Sequence, residues 1–172
     1  MKKGNPYYQI QNYYPFLKNP SKYISKKPIV ARSGMEIEYF KKLDRNPKVI
    51  KWGSEVLKIP YNRPMFEAKT GIRTHYERRN YILDIWMQFE LASGEIVEIF
   101  GEIKPLSKLN LPKPPKKKTT KAYVNYMNSK LDYQVNQEKW KATGLLIKRL
   151  REKGRKVFFH IMTERKIIEY VD

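Results

Sequence analysis

The sequence predicts an α/β fold in which a central mixed β-sheet is flanked by helices, and three observations carry that prediction. A capped helical period starts near residue 33, an alternating stretch at 81–104 turns back on itself, and a long helical stretch precedes an apolar strand near the end. Helix, strands, helix, strand in this order suits helices packed over one sheet. The 172 residues suffice for a single domain with a real core, and 41% hydrophobic and 13% aromatic residues can fill it. There is no internal repeat.

The first 31 residues carry Pro6, Pro15, Pro20 and Pro28 among Tyr7, Tyr8, Tyr13, Tyr14 and Tyr23. They read as an extended arm laid over the body or over a neighbour, with aromatics that could also stack on bases. The domain proper is expected over 32–165, with 166–172 as a terminal segment. Ser33, Gly34, Met35 and Glu36 read as a capping box, and Glu36, Phe40 and Leu43 share one helical face. That helix should end near 44–47. A strand is expected at 55–61, followed by a basic, turn-rich connection through 71–80.

Residues 81–91 alternate, with Ile85, Met87, Phe89 and Leu91 on one face and Asp84, Trp86, Gln88 and Glu90 on the other. Ala92, Ser93 and Gly94 make the turn of a hairpin. On the return, Val97, Ile99, Gly101 and Ile103 oppose Glu98, Phe100, Glu102 and Lys104. Pro105 stops the strand. Pro112, Pro114 and Pro115 then alternate with Lys113, Lys116, Lys117, Lys118 and Lys121 in a basic loop spanning 105–121, either a path for a phosphate backbone or a solvated linker. A helix over 123–151, with room for a break near 129–133, offers Trp140, Leu145, Leu146 and Leu150 to the core and stops near Gly154. A strand at 157–162 and a terminal strand or arm at 167–171 complete the chain.

Charge gives the first functional indication. Against 17 Asp and Glu stand 36 Lys and Arg, a formal net charge of +19. Such an excess favours a polyanionic partner, nucleic acid ahead of an acidic membrane or protein, because each phosphate neutralised releases a condensed counterion. An inert basic surface is also compatible with charge alone. The absence of cysteine excludes disulfides, thiolate catalysis and Cys-type zinc sites, so any metal is held by oxygen or imidazole. His75 and His160 are too far apart in sequence to suggest a His-based site, and His160, inside an apolar strand, reads as structural. Neither a phosphate-binding glycine loop nor a nucleophile elbow is present. With no signal-like apolar run at the start and no apolar stretch of about 20 residues, a soluble protein, intracellular or packaged from there, is expected.

Hydrolysis of a phosphodiester requires a cation opposite the nonbridging oxygens and an activated water for in-line attack. Asp84 and Glu102 lie on strands joined by a short turn and could meet at one Mg²⁺ if the hairpin opens or twists, with the Ile103 carbonyl as a third ligand. Mn²⁺ would suit the same oxygens. Lys104 projects from the same strand face as Glu102, where it could orient the attacking water and offset phosphate charge. Ordinary charge alternation on an exposed strand would produce the same Glu-x-Lys pattern. Glu36 points inward with Phe40 and Leu43; it either joins an acidic cluster or simply bonds the helix start.

Six linked segments sharpen this reading. Arg32-Ser33-Gly34-Met35-Glu36, Asp44-Arg45-Asn46-Pro47, Trp52-Gly53-Ser54-Glu55 with Ile59-Pro60-Tyr61, Tyr81-Ile82-Leu83-Asp84, Gly101-Glu102-Ile103-Lys104-Pro105 and Asn136-Gln137-Glu138-Lys139-Trp140 occur in order over roughly 20–165. Together they resemble the head-completion nuclease family of large contractile-tailed bacteriophages, itself similar to the TnsA-type branch of the PD-(D/E)xK endonucleases. The resemblance implies a restriction-endonuclease-like core that trims packaged double-stranded DNA with Mg²⁺ at the portal vertex, before neck and tail attach. It implies portal or neck proteins as partners, a place in the virion neck after assembly in the host cytoplasm, no membrane and no small-molecule cofactor. Carried over by position, Glu36 is the helix glutamate, Asp84 the metal-binding aspartate, Glu102 the second acidic ligand and Lys104 the catalytic lysine. Gln137 takes a supporting or DNA-contacting place, and Glu55 matches a position without assigned chemistry; Lys139 and the basic loop lysines are expected to hold DNA through their charge. Leu83 stands where the superfamily name has proline, and the connection over 63–80 looks irregular, which could change the DNA admitted. The rival expectation is a non-catalytic neck or portal protein that keeps the nuclease fold and seals the filled head. A basic RNA-binding protein would explain the charge but not the four-residue constellation.

Overall fold

The computed structural model describes residues 14–25, 27–67, 72–116 and 119–169. The start of the expected arm with Tyr7, Tyr8 and Tyr13, the loop residues Lys117 and Lys118, and the last part of the terminal segment lie outside the described residues.

Helix α1 covers Gly34–Arg45. Ser33 caps it, its hydroxyl accepting from the Glu36 N–H at 3.2 Å, while the Glu36 carboxylate accepts from the Arg32 N–H at 2.6 Å and the Ser33 hydroxyl at 3.1 Å. The reciprocal cap therefore forms, with its return bond one residue earlier than in the usual box. Ile37, Tyr39, Phe40 and Leu43 form its buried face. At the helix end the buried Asp44 carboxylate accepts from the Lys18 and Asn19 N–H groups at 2.7 and 2.9 Å, which ties the preceding stretch to the body. Tyr23, Ile29 and Ala31 from that stretch are buried in the same core.

Two assignments in the next region are corrected. The strand expected at 55–61 starts later and runs longer, as β2 at Lys58–Phe66, a strand not expected, β1 at Val49–Ser54, precedes it, and the supposed turn-rich connection through 71–80 is strand β3 at Arg73–Ile82. β2 and β3 form an antiparallel ribbon in continuous register from Lys58↔Ile82 to Met65↔His75. Because β3 is exposed on both faces until Tyr81, its sequence carries no apolar alternation, so nothing in 73–80 distinguished a strand from a polar loop.

The hairpin is present as β4, Ile85–Glu90, and β5, Ile96–Ile103, with Tyr81 and Ile82 belonging to β3 rather than to its first strand. Gly94, at a φ of 81°, makes the turn. Helix α2 runs unbroken over Thr120–Glu152, 33 residues, about 50 Å at 1.5 Å per residue. The break near 129–133 does not occur, since Ser-Lys-Leu-Asp-Tyr contains neither proline nor glycine. Lys121 stands in the first helical turn instead of the loop, and part of that loop is a 3-10 turn at Leu106–Lys108. Asn136, Trp140, Thr143 and Ile147 define the buried face of α2, which leaves Leu145 on the other side, 50% exposed instead of in the core. Strands β6, Val157–Met162, and β7, Ile167–Glu169, follow.

The main sheet has the order β1-β4-β5-β6-β7, with β5 and β6 parallel and every other pair antiparallel. α2 is the crossover that joins the parallel pair. Ile85, Met87, Val97, Ile99 and Ile103 pack with Phe40, Leu43 and Trp52 on the α1 face. Phe100, Phe159 and Ile161 pack with Trp140 and Ile147 of α2 and with Ile59, Tyr61 and Tyr81 of the ribbon on the opposite face. The arrangement is an α/β sandwich with a mixed sheet, as expected from the sequence. Phe159, 1% exposed at the centre of the α2 side, should be costly to truncate: Phe159→Ala is expected to lower unfolding free energy by about 3–5 kcal/mol in a urea titration.

Candidate active site

Asp84 occupies the short break between β3 and β4, and what holds it there is local. The Leu83 N–H donates to the Leu57 carbonyl at 3.0 Å and its side chain is buried on the α2 side, so Leu83 anchors the chain where the superfamily name has proline. The Glu55 N–H donates to the Asp84 carbonyl at 3.2 Å, and Glu55 does so from a left-handed conformation, φ 56°, unusual for a residue other than glycine. The Glu55 carboxylate is paired with Arg32. Glu55, left without chemistry by the sequence, thus supports the Asp84 backbone.

The β4–β5 register brings the two acids together without any opening of the hairpin. Ile85 lies opposite Gly101, so Asp84 faces Glu102, and the Ile103 N–H donates to Asp84 Oδ2 at 2.8 Å. Glu102 is 1% exposed. One of its oxygens accepts from the Tyr81 hydroxyl; the other is 2.8 Å from Lys104 Nζ, whose side chain is 25% exposed. Lys139 reaches the same place from α2, its ammonium 5.1 Å from the centre of the Tyr81 ring.

The electrostatics follow from burial and crowding. Burial, then the Glu102 charge, push the Asp84 carboxyl well above the ordinary range against the opposing pull of Lys104 and the Ile103 N–H. Burial and the two acids likewise hold the Tyr81 phenol protonated far above its usual range. Burial works against a charged Lys104, but the charge and hydrogen bond of Glu102, helped by Asp84 and Glu36, outweigh it and raise its pKa. Lys139 is shifted the other way, downward, by burial and by repulsion from Lys104 and Arg63, only partly offset by Glu102 and Asp84.

The remaining sequence candidates are placed as follows. Glu36 is committed to its cap, yet its charge reaches Lys104 and Arg32. Among the described residues no three His, Asp or Glu side chains converge on a common point for a metal ion, so Glu36 is not drawn into one set with Asp84 and Glu102. Gln137 lines a cavity of about 430 Å³ between α2 and the ribbon, with Pro64, Phe66 and Tyr76 but neither acid in its walls. Lys113, Lys116 and Lys121 are exposed. His160 is partly buried and burial lowers its pKa, in keeping with a structural place on β6. Sequence reasoning passed over Tyr81 as part of this site, and assigned Lys139 to DNA without its position beside the acids; no spacing rule connects β3 or α2 to Glu102.

The donor set fits a hard divalent cation. Mg²⁺ commonly takes one or two carboxylates and keeps several waters, so two facing carboxylates suffice. Their mutual repulsion, visible in the raised Asp84, is the charge such an ion would neutralise. Asp84 also leads to a test. A carboxyl whose folded pKa lies above the unfolded value destabilises the fold once ionised, so stability falls as pH rises through the folded pKa. In chelator, Asp84→Asn should therefore raise the melting temperature by several degrees at about pH 8, and the gain should vanish below about pH 4, where the carboxyl is protonated in both states.

Comparison with known proteins identifies the family. The profile of the family described as TnsA-like endonuclease N terminal matches residues 46–164, which include Asp84, Glu102 and Lys104 but not Glu36. The chain is 40% identical over 148 residues to the head completion nuclease of Enterobacteria phage T4, covering 86% of this chain and 87% of that protein. No solved structure matches. With its sheet, its facing acids and a match across well over half its length, the chain belongs to the TnsA-like endonuclease family.

Proposed function

We propose that this protein is a metal-dependent DNA endonuclease of phage head completion, which trims packaged double-stranded DNA at the portal vertex before the neck and tail attach. The observation that carries the reading is the juxtaposition of Asp84, Glu102 and Lys104 at one point of a basic protein. Family membership and the named relative support it. Docking on portal or neck proteins, and a final place in the virion neck, belong to the same proposal.

In this reading Asp84 and Glu102 hold Mg²⁺ or Mn²⁺, which supplies positive charge to the nonbridging oxygens and acidifies water. The N–H and C=O of a strand residue face the same side, so the Ile103 carbonyl shares the Asp84 side with its N–H and is offered as the third protein ligand. Lys104, kept charged beside Glu102, orients the attacking water and offsets charge building on the phosphate. Tyr81 fixes the Glu102 carboxylate by donating to it. Glu36 anchors the start of α1 and adds negative potential at Lys104. Lys139, Gln137, Lys113, Lys116 and Lys121, with Lys117 and Lys118 outside the described residues, are assigned to DNA contact.

Plasmid and linear duplex cleavage in Mg²⁺ tests the assignment. Asp84→Ala should abolish cleavage, and Lys104→Ala should slow it by about 10²–10³-fold, the usual loss on removing one group that stabilises transition-state charge. Chelator should stop the wild-type reaction. Wild-type rates from Asp84→Ala would overturn the proposal.

A further inference from the structure

The β2–β3 ribbon carries cations away from the acids in an ordered line. Because side chains alternate along a strand, Tyr81, Arg79, Glu77 and His75 share one face of β3. Their register partners on β2 are Ile59, Tyr61, Arg63 and Met65. The inner end of this face is the site itself, since Tyr81 donates to Glu102 and Lys139 sits over the Tyr81 ring. Beyond Tyr61 and Tyr81 the face is open, with Arg63 and Arg79 exposed. Its only acid, Glu77, is engaged by Arg79 and lies opposite Arg63, which makes no salt bridge among the described residues.

Lys139 is repelled by Lys104 and by Arg63, and of these three cations only Lys104 has a carboxylate at ion-pair distance among the described residues. Like charges held together at the mouth of a site are relieved by an anion placed between them. Counting described residues, the ribbon bears Lys58, Arg63, Arg73, Arg78 and Arg79 against Glu67 and Glu77. The polyanion must run continuously from the acids outward, which is the shape of a nucleic-acid backbone.

We propose that this face of the β2–β3 ribbon, rooted at Lys139 and carried by Arg63 and Arg79, is an arm that grips duplex DNA on one side of the scissile phosphate. From Tyr81 to His75 the strand advances about 20 Å at roughly 3.4 Å per residue. At about 3.4 Å per base along a strand of B-DNA, that reach covers about six base pairs. The proposal rests on the nuclease reading for which phosphate lies at Glu102, but its binding surface is measured separately.

Fluorescence anisotropy of a labelled duplex in chelator, across a salt series, compares wild type with Arg63→Ala/Arg79→Ala. Lys148→Ala/Lys153→Ala, at the far end of α2, removes equal charge as a control. The arm variant should bind about tenfold or more weakly, and its slope of log K against log salt should fall by about 1.8, or 0.9 per lost phosphate contact. The control should keep the wild-type slope. Wild-type cleavage should also drop when the duplex on the arm side is cut below about six base pairs. An arm variant that binds like wild type, or no worse than the control, overturns the proposal, as it would if the ribbon served a protein partner. If binding weakens while Asp84→Ala still cleaves, the arm stands and the catalytic assignment falls; if binding is unchanged while Asp84→Ala is inactive, the reverse holds.

Discussion

Every feature of the site depends on the pairing register of β4 with β5. Ile85 opposite Gly101 is what sets Asp84 across from Glu102 and aims the Ile103 N–H at Asp84. A slip of one residue would turn Glu102 and Lys104 toward the α1 core and bring Ile103 to the α2 side. The register is secured by burial on both faces: Ile85, Met87, Val97 and Ile99 fit only against α1, and Phe100 only against α2 and the ribbon. Gly101 contributes by its lack of a side chain, since a Cβ there would meet Met162 Cε at 2.9 Å and Ile85 Cβ at 3.3 Å. Packing chosen for stability thus places the chemistry.

What the packing places is costly. Two carboxylates face each other, one of them almost wholly buried, and they are relieved in the protein itself by one lysine, one phenol and one backbone N–H. Around them stand cations that repel one another, Lys139 most clearly. Such a site opposes folding and favours ligands of both signs, a hard cation between the acids and a phosphate against the lysines. The left-handed Glu55 next to Asp84 adds local strain of the kind a rigid surround can hold.

Legibility followed burial. β4, β6 and α1 carry an apolar alternation or helical spacing that announced them, and β5, though Ile99 to Ile103 are all buried in succession, was legible as the return strand of the hairpin; Asp84, Glu102 and Lys104 came with them. β3 has neither face covered over most of its length, and its arginines read as a loop. β1 was missed for the opposite reason: Trp52, Gly53 and Ser54 are all buried in succession, which erases the period of two. In α2 the face was misjudged at Leu145 because the leucines at 145, 146 and 150 suggest a stripe, whereas contact with the sheet selects Trp140, Thr143 and Ile147.

The sequence by itself determined the fold class, the basic character, the hairpin that carries Glu102 with Asp84 just before it, and the family to which those segments point. These are local or pairwise properties, read from spacing, composition and short motifs. Only the tertiary structure decided that Asp84 and Glu102 meet without distortion, that Glu36 bonds the helix start, and that Tyr81 and Lys139 stand beside the acids. Those two residues come from β3 and α2, and they become neighbours because the ribbon and the long helix share one core on the same face of the sheet. No rule of sequence spacing spans that distance.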